Sequence, residues 1–260
     1  MPLVDYSRIR SDLIFEVAEV NPVSKSIVEI VTEPGDHDPL EFLPGQYVLL
    51  EDVEHQLEPR SYSIANSPRR DGSLTFLVTL VPEGQLTSWI HEELGPGDQF
   101  SVSGPYGTFT AEKEKGGPVL YLTAGSGLAP ARALLEAGFE DDPDRPRTLV
   151  FSARTEDDVL DRDRFEEWRE AYPGFRFIRT LTRGKGPGPQ GRVPGLLEDL
   201  SGDLAGYEIY IAGGPGFVSS CTAAAERCGA DRSRIRTEPF FVEPRPRTTA
   251  AAEEGGPDDP

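Results

Sequence analysis

The side chains in this 260-residue chain best placed to do chemistry are cations, aromatics and glycines at short, ordered spacings. In EPRSYSIANSP, Arg60 and Tyr62 lie two apart, so on a strand they share one face while Ser61 and Ser63 take the other. A guanidinium beside a phenol suits a ligand with a diphosphate and a planar ring, the fork binding phosphate and the phenol stacking. Further along, Gly84, Gln85, Leu86 and Thr87 open a short helix, with Thr87 as its expected cap and leading N–H groups available to an anion. A third element, Thr123-Ala-Gly-Ser-Gly-Leu-Ala-Pro130, follows an apolar run and precedes a helical one. Gly125, Ser126 and Gly127 there permit a tight turn and close approach of backbone to a pyrophosphate, although Pro130 departs from the usual third glycine. Arg154, Arg183 and Arg192 punctuate the later segments, and their forked donors suit a phosphate monoester. Taken singly, each element also has the composition of an ordinary surface strand, capped turn or solvated loop.

Composition excludes several other chemistries. Cys221 and Cys228 lack a CxxC arrangement, and His37, His55 and His91 are scattered, so no metal site is expected. Two thiols cannot ligate an iron–sulfur cluster alone, since four are needed. With 45 acidic against 26 basic residues and a formal net charge of −19, nucleic acid is not an expected ligand. No window has the apolar length of a membrane span, and the first residues have no apolar leader core, so a cytoplasmic location is expected.

The elements that must hold these residues fall into two kinds. Residues 1–113 alternate short β-branched or aromatic runs with Gly/Pro turns, which predicts an antiparallel β-barrel domain. One interruption, LTSWIHEEL, has Leu86, Trp89, Ile90 and Leu94 at helical spacing and predicts a short helix. Residues 114–242 alternate strand and helix patterns, which predicts an α/β domain with a parallel sheet whose ligands bind beyond the carboxyl ends of the strands. Residues 243–260 lose apolar periodicity and are expected to form a disordered acidic tail.

R-x-Y-S at Arg60–Ser63, G-x-x-T at Gly84–Thr87 and G-S-G-x-A-P from Gly125, in that order, resemble the ferredoxin–NADP reductase superfamily, bacterial type. The resemblance implies an FAD-binding barrel followed by a nicotinamide-nucleotide-binding domain. It assigns Arg60 to the flavin pyrophosphate, Tyr62 to stacking on the flavin and Ser63 to the neighbourhood of its reactive nitrogen. The backbone of Val78 and Thr79 would line the flavin edge, and Gly84–Thr87 would hold the pyrophosphate. Thr123, Gly125, Ser126 and Gly127 would receive the nicotinamide nucleotide, with Gly213 and Gly214 beside them. Arg154, Arg183 and Arg192 match the family's 2′-phosphate arginines, which favours NADPH while leaving NADH possible. Where the family has C-G-x-P-x-M, this chain has Ala212 and Phe217 in place of the Cys and Met, so no thiol is expected at the transfer point. By the resemblance Phe240 or Phe241 would cover the open flavin face, the other reading being a core strand end; separately, Arg232, Arg234 and Arg236 alternate, so in an extended segment they would share a face that is either a docking patch for an acidic ferredoxin or simply solvated. The activity implied is electron transfer between NADPH and a ferredoxin or flavodoxin by hydride transfer to flavin. The alternatives are an NADH-dependent reductase component of an oxygenase, a flavin reductase, or a non-catalytic electron-transfer subunit.

Overall fold

Residues 9–55, 57–111, 116–184 and 186–241 are described in a computed structural model of the chain. The expected domain boundary near Glu114 and the expected tail at 243–260 lie outside the described residues.

The first half is built from β1 (Arg10–Ser24), β2 (Ile27–Pro34), β3 (Tyr47–Asp52), β4 (Arg60–Ser63), β5 (Leu74–Thr79) and β6 (Gln99–Tyr106), with α1 (Gln85–Glu92) between the last two. All pair antiparallel, in the order β4-β3-β6-β1-β2-β5. Alternation drives the closure. Phe15, Ile30, Val48, Leu50, Phe76 and Phe100 are buried in one core, and Leu86, Ile90 and Leu94 of the α1 segment pack into it as the helical spacing predicts. The sheet almost closes on itself, because its two edges meet at an isolated Ile64–Phe76 bridge. Among the described residues the edges pair no further, so Tyr62 on β4 and Val78 and Thr79 on β5 flank an open seam.

The second half runs β7 (Val119–Ala124), α2 (Leu128–Asp141), β8 (Arg147–Ala153), α3 (Arg162–Ala171), β9 (Phe175–Leu181), α4 (Val193–Ser201), β10 (Glu208–Gly213), α5 (Pro215–Arg227) and β11 (Ile235–Pro239). Its five strands are parallel, in the order β11-β10-β7-β8-β9. Tyr121, Leu149, Phe151 and Tyr210 pack with α2 and Phe165 of α3 on one face. Their alternates Leu120, Leu122, Val150 and Ile211 pack with Val193, Leu197, Val218 and Cys221 of α4 and α5 on the other. Strands covered on both faces read as apolar runs, which is why VLYL and IYIA show no polar alternation. The strand order reverses between β7 and β10, so a crevice opens at their carboxyl ends.

The two halves share a core. Ile27, Ala65, Leu77 and Phe109 of the barrel half join the α2 face of the parallel sheet, with Phe109 edge-on to Tyr210 at 5.4 Å between ring centroids. Through this layer passes Arg132 of α2, 0% exposed, whose Nε donates to the Ala65 carbonyl at 2.6 Å.

The loop that leads into β4 hangs on a buried carboxylate. Asp52 accepts hydrogen bonds from the His55 backbone N–H, from His55 Nδ1 at 3.1 Å and from the Leu57 N–H at 2.7 Å. Burial acts to raise its pKa, but these donors outweigh burial and hold the carboxyl below its ordinary value. Asp52→Ala is expected to cost about 1–3 kcal/mol, the penalty for stranding partly buried donors. Chemical denaturation checks this, and an unchanged midpoint would mean that the loop holds its shape without the carboxylate.

Candidate functional site

The open seam and the crevice of the parallel sheet face each other. Thr79 Oγ1, at the end of β5, donates to Ser126 Oγ in the glycine turn at 2.8 Å, joining the two expected cofactor sites side chain to side chain.

On the barrel side, Tyr62 lies opposite Val48 of β3 and packs against the barrel core. Burial, partly offset by Arg60, pushes its phenol well above the ordinary value, so it stays neutral. Ser63 is buried at 8% exposure, and Ser61 points to solvent. Arg60 is half-buried, with Nη2 on Glu58 Oε2 at 2.7 Å and Nη1 donating to the Pro59 carbonyl at 3.0 Å. A phosphate there would compete with an exposed glutamate, a weak partner. The N-terminus of α1 differs from expectation in one respect: Thr87 does not cap it. Gly84 holds the cap position, and the Thr87 hydroxyl turns back, 3.3 Å from the Val81 and Gly84 carbonyls and accepting from the Val81 N–H at 3.2 Å. The hydroxyl shapes the turn, and among the described residues no side-chain cap bond closes this helix start, leaving its leading amides available. A helix start with no side-chain cap among the described residues, an arginine, a neutral phenol and two open strand edges have the chemistry an FAD would need, with its pyrophosphate at α1 and its ring in the seam.

On the other side, the next-to-last residue of β7 is Thr123, whose Oγ1 is buried without a hydrogen-bond partner among the described residues. The turn Gly125–Gly127 then enters α2. Gly127 is required for close packing: a Cβ there would lie 2.4 Å from the Ala212 carbonyl of β10. A Cβ on Gly214, the cap of α5, would meet nothing within 4 Å. Both glycine turns thus sit at the β7/β10 reversal, and their open backbone fits a dinucleotide pyrophosphate. Arg154 and Arg183 are brought together, the Arg183 N–H donating to the Arg154 carbonyl at 2.7 Å. Arg192 caps α4 after a loop tied back to β9 through Gly191 N–H to the Leu181 carbonyl, 2.8 Å. All three are exposed. Of the nearby acids, Glu156 is paired to Arg162 at 2.8 Å and to Arg179 at 3.1 Å, and Asp158 accepts from the Thr155 hydroxyl at 2.7 Å.

One expectation about the last segment changes. Arg232–Arg234 forms a single 3-10 turn, so the three arginines do not line up on one extended face. Arg234 donates to the carbonyls of Tyr207 at 3.1 Å and Gly116 at 2.5 Å, and Arg236 Nη1 to that of Ser233 at 3.1 Å. They lie at the amino end of β11, away from the crevice, and the single extended face expected of them is not formed. At the carboxyl end of β11, the Phe240 N–H donates to the Gly213 carbonyl at 2.8 Å, and Phe241 is 73% exposed.

Glu238 was not singled out by the sequence. It stands beside Ala212 across the β10/β11 ladder, and its charge reaches Tyr47 of the barrel, itself opposite Ser63. Burial pushes its carboxyl up to about 7. A carboxylate two residues before an aromatic at the end of the last strand was the available signal. Between the ordinary glutamate value and about 7, the folded state keeps a proton that the unfolded chain has released, so this group lowers stability as pH rises through that window. Glu238→Gln is therefore expected to match wild type near pH 4 and to gain about 2–3 kcal/mol by about pH 8. Melting temperatures across that range check the sign, and a difference that does not grow with pH would place Glu238 in water.

Comparison with known proteins agrees with the geometry. Residues 15–111 match the Oxidoreductase FAD-binding domain family, and residues 121–223 match the Oxidoreductase NAD-binding domain family. The reductase subunit of an aromatic O-demethylase from an Amycolatopsis species is 32% identical over 235 residues, 88% of this chain and 69% of that protein. The ferredoxin–NAD(P)(+) reductase component of naphthalene 1,2-dioxygenase/salicylate 5-hydroxylase systems from a Ralstonia species is 31% identical over 207 residues, 78% of this chain and 62% of that one. This chain thus spans about two thirds of the length of such relatives. Among solved structures, an Amycolatopsis cytochrome P450 reductase superposes with a TM-score of 0.84 at 29% identity, covering 89% of this chain and 70% of that one. The ferredoxin reductase of a carbazole 1,9a-dioxygenase gives 0.80 at 27% identity, covering 90% and 70%. With a nearly closed barrel whose open seam meets the glycine crevice of a parallel sheet, and both domain families matched in that order, the chain belongs to the ferredoxin–NADP reductase superfamily of FAD- and NAD(P)-binding oxidoreductases.

Proposed function

We propose that this chain is the nucleotide-oxidising reductase of an oxygenase system, taking electrons from NADPH and delivering them to a ferredoxin-type carrier or to the oxygenase itself. The observation that carries it is the Thr79–Ser126 hydrogen bond, which brings the flavin seam and the nucleotide turn to one junction. The relatives named as reductase components favour an oxygenase partner over a free-standing ferredoxin–NADP exchange. When bound, FAD supplies the redox chemistry, taking two electrons as hydride and returning them one at a time.

The chain's own groups bind and align. Arg60 and the Gly84–Thr87 amides hold the flavin pyrophosphate, with Ser61 on the solvent side of the same strand. Tyr62, kept neutral by burial, stacks on the ring, while Ser63 and the Val78–Thr79 backbone border its polar edge. Phe241, exposed beyond β11, would be free to cover the open ring face and to give way to a nicotinamide. Thr123, the Gly125–Gly127 turn and Gly213–Gly214 seat the nucleotide. Arg154 and Arg183, with Arg192 nearby, bind its 2′-phosphate; two of the acids that would oppose them, Glu156 and Asp158, are held by other partners. Ala212 in place of a thiol leaves the transfer point without an ionisable sulfur, which alignment chemistry does not require.

Purified protein should be yellow and should oxidise NADPH in preference to NADH. Arg154→Ala and Arg183→Ala should each lower kcat/KM for NADPH by about 10- to 100-fold, the cost of a charge-assisted contact to phosphate, and leave NADH unaffected. An NADH preference untouched by either substitution would overturn the choice of nucleotide. A colourless protein that FAD cannot reconstitute would overturn the reductase reading.

A further inference from the structure

Arg132 is 0% exposed, yet it belongs to no cofactor site described above. It lies on the first turns of α2, just after the glycine turn, and its guanidinium crosses into the barrel half. Nε donates to the carbonyl of Ala65 at 2.6 Å, two residues past the end of β4, the strand that carries Tyr62. Nη1 donates to Glu29 of β2 at 2.6 Å and to Asp161, before α3, at 2.8 Å. The two carboxylates are themselves only 14% and 10% exposed and come from opposite halves of the molecule. Burial disfavours the guanidinium charge, but Asp161 and Glu29 outweigh it and hold the group above its ordinary value. Asp161 takes up a left-handed backbone conformation, φ +50°, unusual for a residue with a side chain.

Two consequences follow from this geometry. Without the cation, two buried carboxylates would oppose each other across the joint, which is strongly unfavourable. The Ala65 bond also sets a fixed length between the flavin-stacking strand and the helix that begins at the nucleotide turn. The apolar layer around it, Ile27, Leu77, Phe109 and Leu128, is non-directional and cannot fix that register alone.

We propose that Arg132 is a positioning residue for hydride transfer, clamping the nucleotide turn against the flavin-bearing strand so that the two cofactors meet at reacting distance. The proposal rests on the reductase reading. In the step concerned, the C4–H bond of the nicotinamide breaks, its two electrons and proton pass as hydride to flavin N5, and NADP+ remains. A displacement of about 1 Å costs such a step on the order of a hundredfold, while binding of each cofactor, made by its own half, is unaffected.

The test compares Arg132→Met with the double variant Arg132→Met/Glu29→Gln, which removes one of the opposed carboxylates. At saturating NADPH, stopped-flow flavin reduction is expected to fall at least about 30-fold in both. FAD retention and the Kd for NADP+ from difference spectra should stay within about threefold, and ferricyanide should reoxidise dithionite-reduced protein at the wild-type rate. The melting temperature should drop in Arg132→Met and recover in the double variant. Slow reduction that persists after stability returns supports positioning. Reduction that recovers together with stability, or that never falls by threefold, overturns it and leaves a purely structural ion cluster. Should Arg132→Met fail to fold, the double variant alone decides. A wild-type protein that holds no FAD sinks the reductase reading and this proposal with it, an outcome distinct from both of the others.

Discussion

A single buried cation joins two acidic halves of this molecule, and the arrangement of everything functional follows from that joint. Taking a guanidinium and two carboxylates out of water is costly, and such clusters add little net stability compared with a well-packed apolar substitute. Their contribution is directional. Greasy contact between Ile27, Leu77, Phe109 and the α2 face would hold at several offsets, whereas Arg132 is satisfied only where Ala65, Glu29 and Asp161 converge. The Ser67 N–H to Glu136 bond at 2.9 Å and the Thr79–Ser126 bond extend the same register along the interface.

Around this joint the two halves solve one problem by different means. The barrel leaves its β4/β5 seam unpaired beyond the Ile64–Phe76 bridge, so strand edges face a would-be ligand where a closed barrel would satisfy them internally. The parallel sheet reverses strand order between β7 and β10, so two glycine turns and two helix starts converge. Each half presents helix starts that no side-chain cap bond closes among the described residues. The net charge of −19 sets a repulsive background for an anionic ligand, against which local donors and arginines count. Arg154, Arg183 and Arg192 stand exposed toward the carboxyl side of the sheet, while Arg234 and Arg145 serve structure at the opposite end, the latter pairing with Glu208 at 2.5 Å.

Much of this was legible in the sequence, and for a physical reason. Alternation of period two, helical spacing in LTSWIHEEL and apolar runs such as VLYL report local burial, and local burial fixes strand, helix and layer. The R-x-Y-S, G-x-x-T and G-S-G-x-A-P strings were legible because each does its work through backbone conformation or a neighbour two residues away. Thr87 shows the limit even at short range: its type and position suited a cap, yet the packing of the preceding turn directed its hydroxyl to carbonyls instead.

What the sequence by itself determined is the order of the elements and the kind of ligand each motif suits, since those depend on contacts within a few residues. Only the tertiary structure decided which residues meet across long separations. Arg132 reads as an ordinary helix arginine, because its partners at Ala65, Glu29 and Asp161 are remote in the chain. Glu238 reads as a strand-end acid until β11 is laid beside β10 and its charge is brought to Tyr47. Arg232, Arg234 and Arg236 read as one basic face until a 3-10 turn and three backbone carbonyls, two on Arg234 and one on Arg236, redirect them. In each case the side chain's role is set by desolvation and by partners supplied by the fold, and neither quantity exists for a residue considered with only its neighbours in sequence.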